Sequence, residues 1–445
     1  MKTLPGPTPL FPLRTLRRAV VLALFLPPAV GSTGASGQQS DSTRLADVLA
    51  EAERSNPALS AARFSAEAAR LREPAASVLP DPLLQVGVMN FGLPEFNTDM
   101  AMSMAPSIQL NQTLPWPGKL GRQAEVAAFE SEMAVSRADE AWWQLRARAG
   151  AVVYELYSLD QRLEVMAETL ELLEGFREVA LSLYGTGRGR QTDVLRADVE
   201  IVRTEGEIRR MEGMRGAQSA LLNGILDRPS AQPVAPVALG PLPRTIPDAD
   251  SLLVWAFAER PLMSEAELGV RRAASATARA EREIWPDLRL GMAYGQRDRG
   301  FGTERMGSVL VGVTLPVFAG SRQHALRDAA AAEGRMAEAR LASVRAEITA
   351  RVEQLVAELD AARALVDLYR MDVVPQAQTN VESAFASYRA GAVDFLTLVD
   401  AQTTANRYEM ELYRLVAGYG SILSALESTV GRALPGSGGD LLESR

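Results

Sequence analysis

Four segments of the chain alternate apolar and polar residues with period two, and two much longer stretches repeat their apolar residues every three or four positions. In residues 83–91, Leu84, Val86 and Val88 fall on one side and Gln85 and Gly87 on the other. In 106–114, Ile108, Leu110 and Leu114 oppose Ser107, Gln109, Asn111 and Thr113. Segment 287–296 sets Leu288, Leu290, Met292 and Tyr294 against Arg289, Gly291 and Gly295, and segment 307–315 sets Val309, Val311, Val313 and Leu315 against Ser308, Gly312 and Thr314. This pattern predicts four β-strands of about 9 to 11 residues, the length that crosses a bilayer when tilted by about 45°. Trp116, Trp285, Phe318 and Tyr294 lie at or near strand ends, where an aromatic girdle would sit.

A very long helix follows each strand pair. No proline occurs between Pro117 and Pro229, and Lys119 to Tyr184 is rich in Ala, Glu, Leu and Arg, all good helix formers. Its apolar residues run Ala149, Val152, Leu156, Leu159, Leu163, Met166, Leu170, Leu173, and the second stretch runs Ile348, Val352, Leu355, Leu359, Ala362, Val366, Tyr369, Val373. Steps of three and four give the 3.5-residue period of a left-handed supercoil. Pro375 is expected to bend the second helix. Both helices end at glycine turns, Gly185 to Gly189 and Gly391, and helices return from about Thr192 to Leu226 and from Phe395 to Ala433. Two αα-hairpins result, with tips about 100 Å from the strands at 1.5 Å per residue.

The chain is written twice, at an offset of 201 to 206 residues. Ser55-Asn56-Pro57 returns as Glu259-Arg260-Pro261, Leu79-Pro80-Asp81 as Trp285-Pro286-Asp287, Thr113-Leu114-Pro115 as Thr314-Leu315-Pro316, and Tyr184-Gly185-Thr186-Gly187 as Tyr388-Arg389-Ala390-Gly391. The expected organisation is a first repeat over 38–226, a Pro-rich linker over 227–250, a second repeat over 251–433 and a flexible tail over 434–445. Each repeat opens with short helices. Asp41-Ser42-Thr43 is expected to cap the first, Asn56 and Pro57 to start the next, and Asp250 and Pro261 to take those places in the second copy.

Composition narrows the chemistry. The chain has no Cys and one His, so no disulfide framework or Cys-ligated metal site can form. The net charge of −8 falls to −12 once Lys2, Arg14, Arg17 and Arg18 are removed with the N-terminus. An acidic chain without a basic cluster excludes nucleic acid as a partner. Residues 1–37 read as a cleavable signal peptide: basic residues, then an apolar run from Ala19 to Val30, then small residues through Ala35. That run is too short to span a hydrocarbon core, which needs roughly 20 residues.

From alternation alone, two soluble hairpins with one buried face stand level with membrane strands. An open sheet edge in lipid leaves N–H and C=O groups unpaired, and four strands cannot close a barrel. Three copies would supply twelve strands, an even number within the range of closed barrels.

Several strings carry a family likeness: Leu114-Pro115-Trp116-Pro117-Gly118-Lys119-Leu120, Tyr184 to Ala197, and Ser387-Tyr388-Arg389-Ala390-Gly391-Ala392-Val393-Asp394-Phe395-Leu396 running into Leu398-Val399-Asp400-Ala401-Gln402. With the duplicated plan, they make residues 41–432 resemble the TolC-type outer-membrane efflux protein family, in particular its heavy-metal efflux branch. The resemblance implies a mainly α fold with membrane β: two structural repeats, each of two strands and a long αα-hairpin, in a homotrimer with a twelve-stranded β-barrel and a periplasmic α-helical barrel. It implies a non-enzymatic conduit in outer-membrane lipid, a periplasmic adaptor (membrane fusion) protein on the hairpin tips, and an inner-membrane pump of the RND type. No cofactor is implied. The lipid-bearing cysteine that opens many relatives is absent. The alternative from another class is a soluble periplasmic coiled-coil adaptor or scaffold, with the strands as an ordinary packed sheet.

By the same resemblance, Asp400 matches a carboxylate ringing the pore constriction, and Thr397 stands where a second acid would be. Asp193 and Tyr388 match a tip lock between neighbouring hairpins, with Val393 in place of the lock's basic residue. The adaptor would dock around Gly187, Gly189, Gly391 and Asp394, and Gly187 and Gly391 fit helix reversals that need positive φ. Met100, Met102 and Met104 recur at period two as weak candidates for a soft metal ion, although apolar loop side chains account for them more simply. His324 reads as a residue at a helix start.

Overall fold

The computed structural model describes residues 42–89, 104–298, 302–434 and 437–440. The chain divides after Ser40, and every described residue belongs to the unit that begins at Asp41. The expected signal peptide (1–37), Asp41, Met100 and Met102 lie outside the described residues, as does the side chain of Met104.

The first repeat runs through α1 (Leu45–Ser55), α2 (Pro57–Arg72), a 3₁₀ turn at Pro74–Ser77, β1 (Leu83–Met89), β2 (Met104–Leu114), α3 (Lys119–Gly185) and α4 (Gln191–Ile225). A short β3 (Pro243–Thr245) leads to the second: α5 (Ala249–Glu259), α6 (Pro261–Arg282), β4 (Leu288–Asp298), β5 (Thr303–Val313), α7 (Gln323–Leu368), α8 (Val374–Arg389) and α9 (Phe395–Val430), followed by β6 (Ser437–Asp440). The 67 residues of α3 extend about 100 Å at 1.5 Å each.

Starts and stops follow local chemistry, with corrections to the sequence reading. Asn56 caps α2 as expected, its Oδ1 accepting from the Leu59 amide at 3.0 Å, with Pro57 in the first turn. Helix α1 has Arg44 at its N-cap and no side-chain cap; Thr43 instead donates to the Ala235 carbonyl at 2.9 Å. Asp248, not Asp250, caps α5, accepting from the Ser251 amide at 2.8 Å. Pro375, expected to bend the second helix, is the second residue of α8. Ahead of it lies one π-helical turn, Tyr369–Val373, in which the Val374 amide reaches back five residues to the Tyr369 carbonyl. The wider turn accommodates a proline that has no N–H to donate.

The proline-rich segment, expected as an extended linker, is packed. Val237 and Leu242 are buried, the Val237 amide donates to Asp160 Oδ2 at 2.9 Å, and Asn223 donates to the carbonyls of Ser230 and Gln232. The tail is not wholly free either, since Ser437–Asp440 pairs antiparallel with Pro243–Thr245. Prolines remove donors without preventing such side-chain and carbonyl contacts.

Ile348, Val352, Leu355, Leu359 and Val366 of α7 and Leu156, Leu159, Met166 and Leu173 of α3 are buried, as the 3.5-residue period requires. Val153 is buried more deeply than Val152, because α3 packs against both α4 and α9 and needs a broader apolar face.

Strands β1, β2, β4 and β5 form one antiparallel sheet in that order, and among the described residues β1 and β5 are its open edges. Register aligns Leu84, Leu110, Met292 and Val309 across all four strands, and Gln85, Gln109, Ala293 and Ser308 in the adjacent row. The apolar row faces outward unburied: Leu84 is 62%, Met292 63% and Val309 75% exposed.

Candidate channel wall and hairpin-tip site

Where the sheet meets the helices, a cluster binds the two repeats together. Lys119 is buried at the start of α3, and its ammonium donates to Asp287 Oδ1 and the Trp285 carbonyl, both at 2.9 Å, with Glu283 at 3.4 Å. The Trp116 amide donates to the same Asp287 oxygen at 2.9 Å, and the Trp116 and Trp285 rings stack at 5.3 Å. The sequence reading placed both tryptophans at strand ends but missed Lys119 and Asp287 as partners. The signal was present in the repeated Leu79-Pro80-Asp81 and Trp285-Pro286-Asp287 strings, which put an acid two residues before β1 and directly before β4.

One face of the sheet carries the polar side chains of Gln85, Ser107, Gln109, Asn111 and Ser308, with Leu83, Met306 and Leu310 toward its edges. Asn111 Nδ2 donates to Gln85 Oε1 at 3.2 Å, and Ser107 Oγ to the Gly87 carbonyl at 2.9 Å. The opposite face is the exposed apolar one. Apolar outside and polar inside is the pattern of a barrel wall between lipid and water.

At the other end of the hairpins, Gly187 and Gly391 both have positive φ, +73° and +75°, as the helix reversals predicted. Gly189 differs. Its φ is not positive, but a Cβ there would meet the Tyr184 backbone nitrogen and Leu183 Cβ at 2.8 Å, so close approach excludes a side chain. Tyr388, Asp193, Gly189, Gly391 and Asp394 line one cleft of about 360 Å³ between the two tips, together with Arg188 and Arg190.

Tyr388 is 5% exposed, its ring meets Phe395 edge-on at 5.4 Å, and its hydroxyl has no hydrogen-bond partner among the described residues. Burial, and then the charge of Asp193, push its phenol pKa up. Asp193 and Tyr388 thus share the cleft without a bond between them inside one chain.

Asp394 is the N-cap of α9. Its Oδ1 accepts from the Thr397 amide at 3.0 Å and the Thr397 hydroxyl at 2.7 Å, and these bonds hold its pKa below the usual carboxylate value. Thr397 is therefore engaged in the helix cap. Asp400 lies exposed on α9, beyond the tip cleft. Among the described residues, no three of His, Cys, Asp or Glu gather as a metal-binding group, and no helix is long and apolar enough to cross a membrane.

A four-stranded sheet with one apolar face, on two long αα-hairpins, is a fold this chain shares with solved outer-membrane channel structures. The chain is similar to VceC, an outer membrane protein of Vibrio cholerae, at 17% identity over 87% of this chain and 96% of that one, with a TM-score of 0.73. It is similar also to a membrane protein from Pseudomonas aeruginosa (21% identity, 87% and 93% of the chains, TM-score 0.74) and to the open state of the MtrE outer membrane channel of Neisseria gonorrhoeae (18%, 88% and 89%, TM-score 0.69). No curated protein matches the sequence. Residues 252–432 match the family described as outer membrane efflux protein.

Proposed function

We propose that the protein is the outer-membrane channel-tunnel of a tripartite efflux system, a passive conduit rather than an enzyme. The observation that carries this reading is the sheet with both edges open and its apolar face unburied. Lipid would cover that face, and closure by neighbouring copies would satisfy the edge N–H and C=O groups, which cannot be left unpaired in hydrocarbon. A soluble scaffold would have to leave Leu84, Val86, Met292, Val309 and Val311 in water, each more than 60% exposed.

In this reading three copies close a twelve-stranded barrel. The tips, with Gly187, Gly189, Gly391 and Asp394, receive a periplasmic adaptor, and an inner-membrane pump delivers the solute. Asp400 from three copies rings the entrance with negative charge, which disfavours anions and admits cations, heavy-metal ions among them. Tyr388 and Asp193 contribute hydrogen-bonding groups for contacts between neighbouring tips.

Fractionation of cells making the chain tests this. The expected result is an outer-membrane species near three times the monomer mass on unboiled gels that collapses on boiling. A soluble, monomeric periplasmic protein overturns it. In planar bilayers, Asp400→Ala is expected to raise anion permeability relative to cation permeability.

A further inference from the structure

Toward the tip end of the second hairpin, three helices leave an unfilled space. A cleft of about 890 Å³ opens between α3, α8 and α9, and each helix turns a stripe at helical spacing toward it. From α3 come Glu168, Glu171, Leu172 and Phe176; from α8, Gln378, Glu382 and Phe385; from α9, Gln402, Asn406 and Glu409. Four carboxylates line the cleft, with no Lys or Arg among its lining residues.

Two features make this more than an acidic groove. Gln402 is 6% exposed; its Nε2 donates to Asn406 Oδ1 at 2.8 Å, while its Oε1 is buried without a partner among the described residues. A buried acceptor left unpaired is costly, and such positions call for a donor. Gly175 lies within α3 at the cleft, where an added Cβ would meet nothing within 4 Å. Packing does not demand glycine there, and the missing side chain widens the space.

The walls also suit an apolar body. Phe176 and Phe385 lie 5.2 Å apart, and Phe385 already holds a cation against its ring, the Arg389 guanidinium at 5.9 Å from the centroid. Burial, then the facing charge of Glu168, raise the pKa of Glu409, as expected for a carboxylate lacking a cationic partner. Along α9, Gln402 and Glu409 stand about 200° and about 180° from Asp400 at 3.6 residues per turn, so the cleft is on the face away from that residue.

We propose that the cleft between α3, α8 and α9 binds an organic cation with an apolar, aromatic body. The carboxylates neutralise its charge, the phenylalanines take its rings, and Gln402 Oε1 accepts from its N–H group. The site requires neither the channel nor the adaptor reading to be right.

Titration of the purified full-length protein in detergent with ethidium, followed by dye fluorescence, tests the proposal. Saturable binding is expected, weakened about tenfold or more by Glu409→Gln and by Gln402→Leu, since each removes a charge-assisted or buried polar contact. Gly175→Leu fills the cleft with all four carboxylates in place and is expected to abolish binding. Glu178→Gln, an exposed acid on α3 outside the cleft, is expected to leave it unchanged. Absence of saturable binding to the unmodified protein, wild-type affinity in the three cleft variants, or an equal loss in Glu178→Gln overturns the proposal.

Discussion

The two repeats share one plan and solve it with different residues. At the strand-to-helix corner, the first repeat has Pro115-Trp116-Pro117-Gly118-Lys119, and Lys119 reaches across to Asp287 of the second. The matching second-repeat stretch, Pro316-Val317-Phe318-Ala319-Gly320, has glycine where the lysine stood and leaves Phe318 72% exposed. At the tips, Arg190 stands at the N-cap of α4 with no side-chain bond, while its counterpart Asp394 caps α9 through Thr397. The first hairpin climbs as one unbroken helix; the second carries a π-helical turn before Pro375. Duplication therefore preserved the architecture while dividing tasks: the first repeat supplies the clamp at the sheet, and the second the better-capped tip and the more adaptable helix.

The largest test of that division is Lys119→Met. It leaves Asp287 without its ammonium and the Trp285 carbonyl without its donor, an expected cost of about 2 kcal/mol for one partner of a partly buried charged cluster. Thermal or denaturant unfolding reads it; Gly320→Ala at the matching position is expected to have little effect.

Next comes Gly189→Ala, which has no glycine counterpart, since Val393 occupies that place in the second tip. The clash with Leu183 and the Tyr184 backbone is expected to exceed the strain of about 1 kcal/mol from alanine at positive φ in Gly391→Ala. Hydrogen exchange at residues 183–190 against 388–394 distinguishes the two.

Glu409→Gln is expected to stabilise modestly. The folded-state pKa of Glu409 is raised, so its ionised form opposes folding once pH exceeds that value, and the penalty vanishes at low pH where the carboxyl is protonated in both states. The variant should melt higher than the parent at pH 8 and equal to it at pH 3.

Asp394→Ala acts in the opposite direction. The folded pKa of Asp394 is lowered, so its contribution is present above the unfolded value and lost as pH falls through the folded one. The variant should be less stable than the parent at pH 7, with the gap closing in acid, and Arg190→Ala should show no such gap.

How much of this was legible in the sequence depended on whether a feature was periodic. Alternation at Leu84, Val86, Met292 and Val309 located the strands, and steps of three and four from Ala149 and Ile348 located the long helices, because one-dimensional periods translate directly into faces. Gly187 and Gly391 were readable for a similarly local reason, the positive φ of a reversal. What escaped depends on residues brought together from far apart. The docking of the proline-rich segment rests on Asp160 reaching Val237, and the sheet corner on Lys119 reaching Asp287. The bond from the Thr397 hydroxyl to Asp394 also escaped, because it depends on the turn geometry before α9. The cleft around Gln402 was invisible for the same reason, since three separate helices build it.

The central claim is that β1 of one copy completes the sheet edge at β5 of another. Because the chain has no cysteine, paired cysteines can probe it without background: Gln85→Cys in β1, scanned against Met306→Cys, Ser308→Cys and Leu310→Cys in β5, in cells carrying the protein in their outer membrane. The account predicts that at least one pair gives an oxidation-dependent ladder of dimers and trimers that reduction removes. Monomer throughout the scan, under conditions where the protein is folded and extractable, would contradict it.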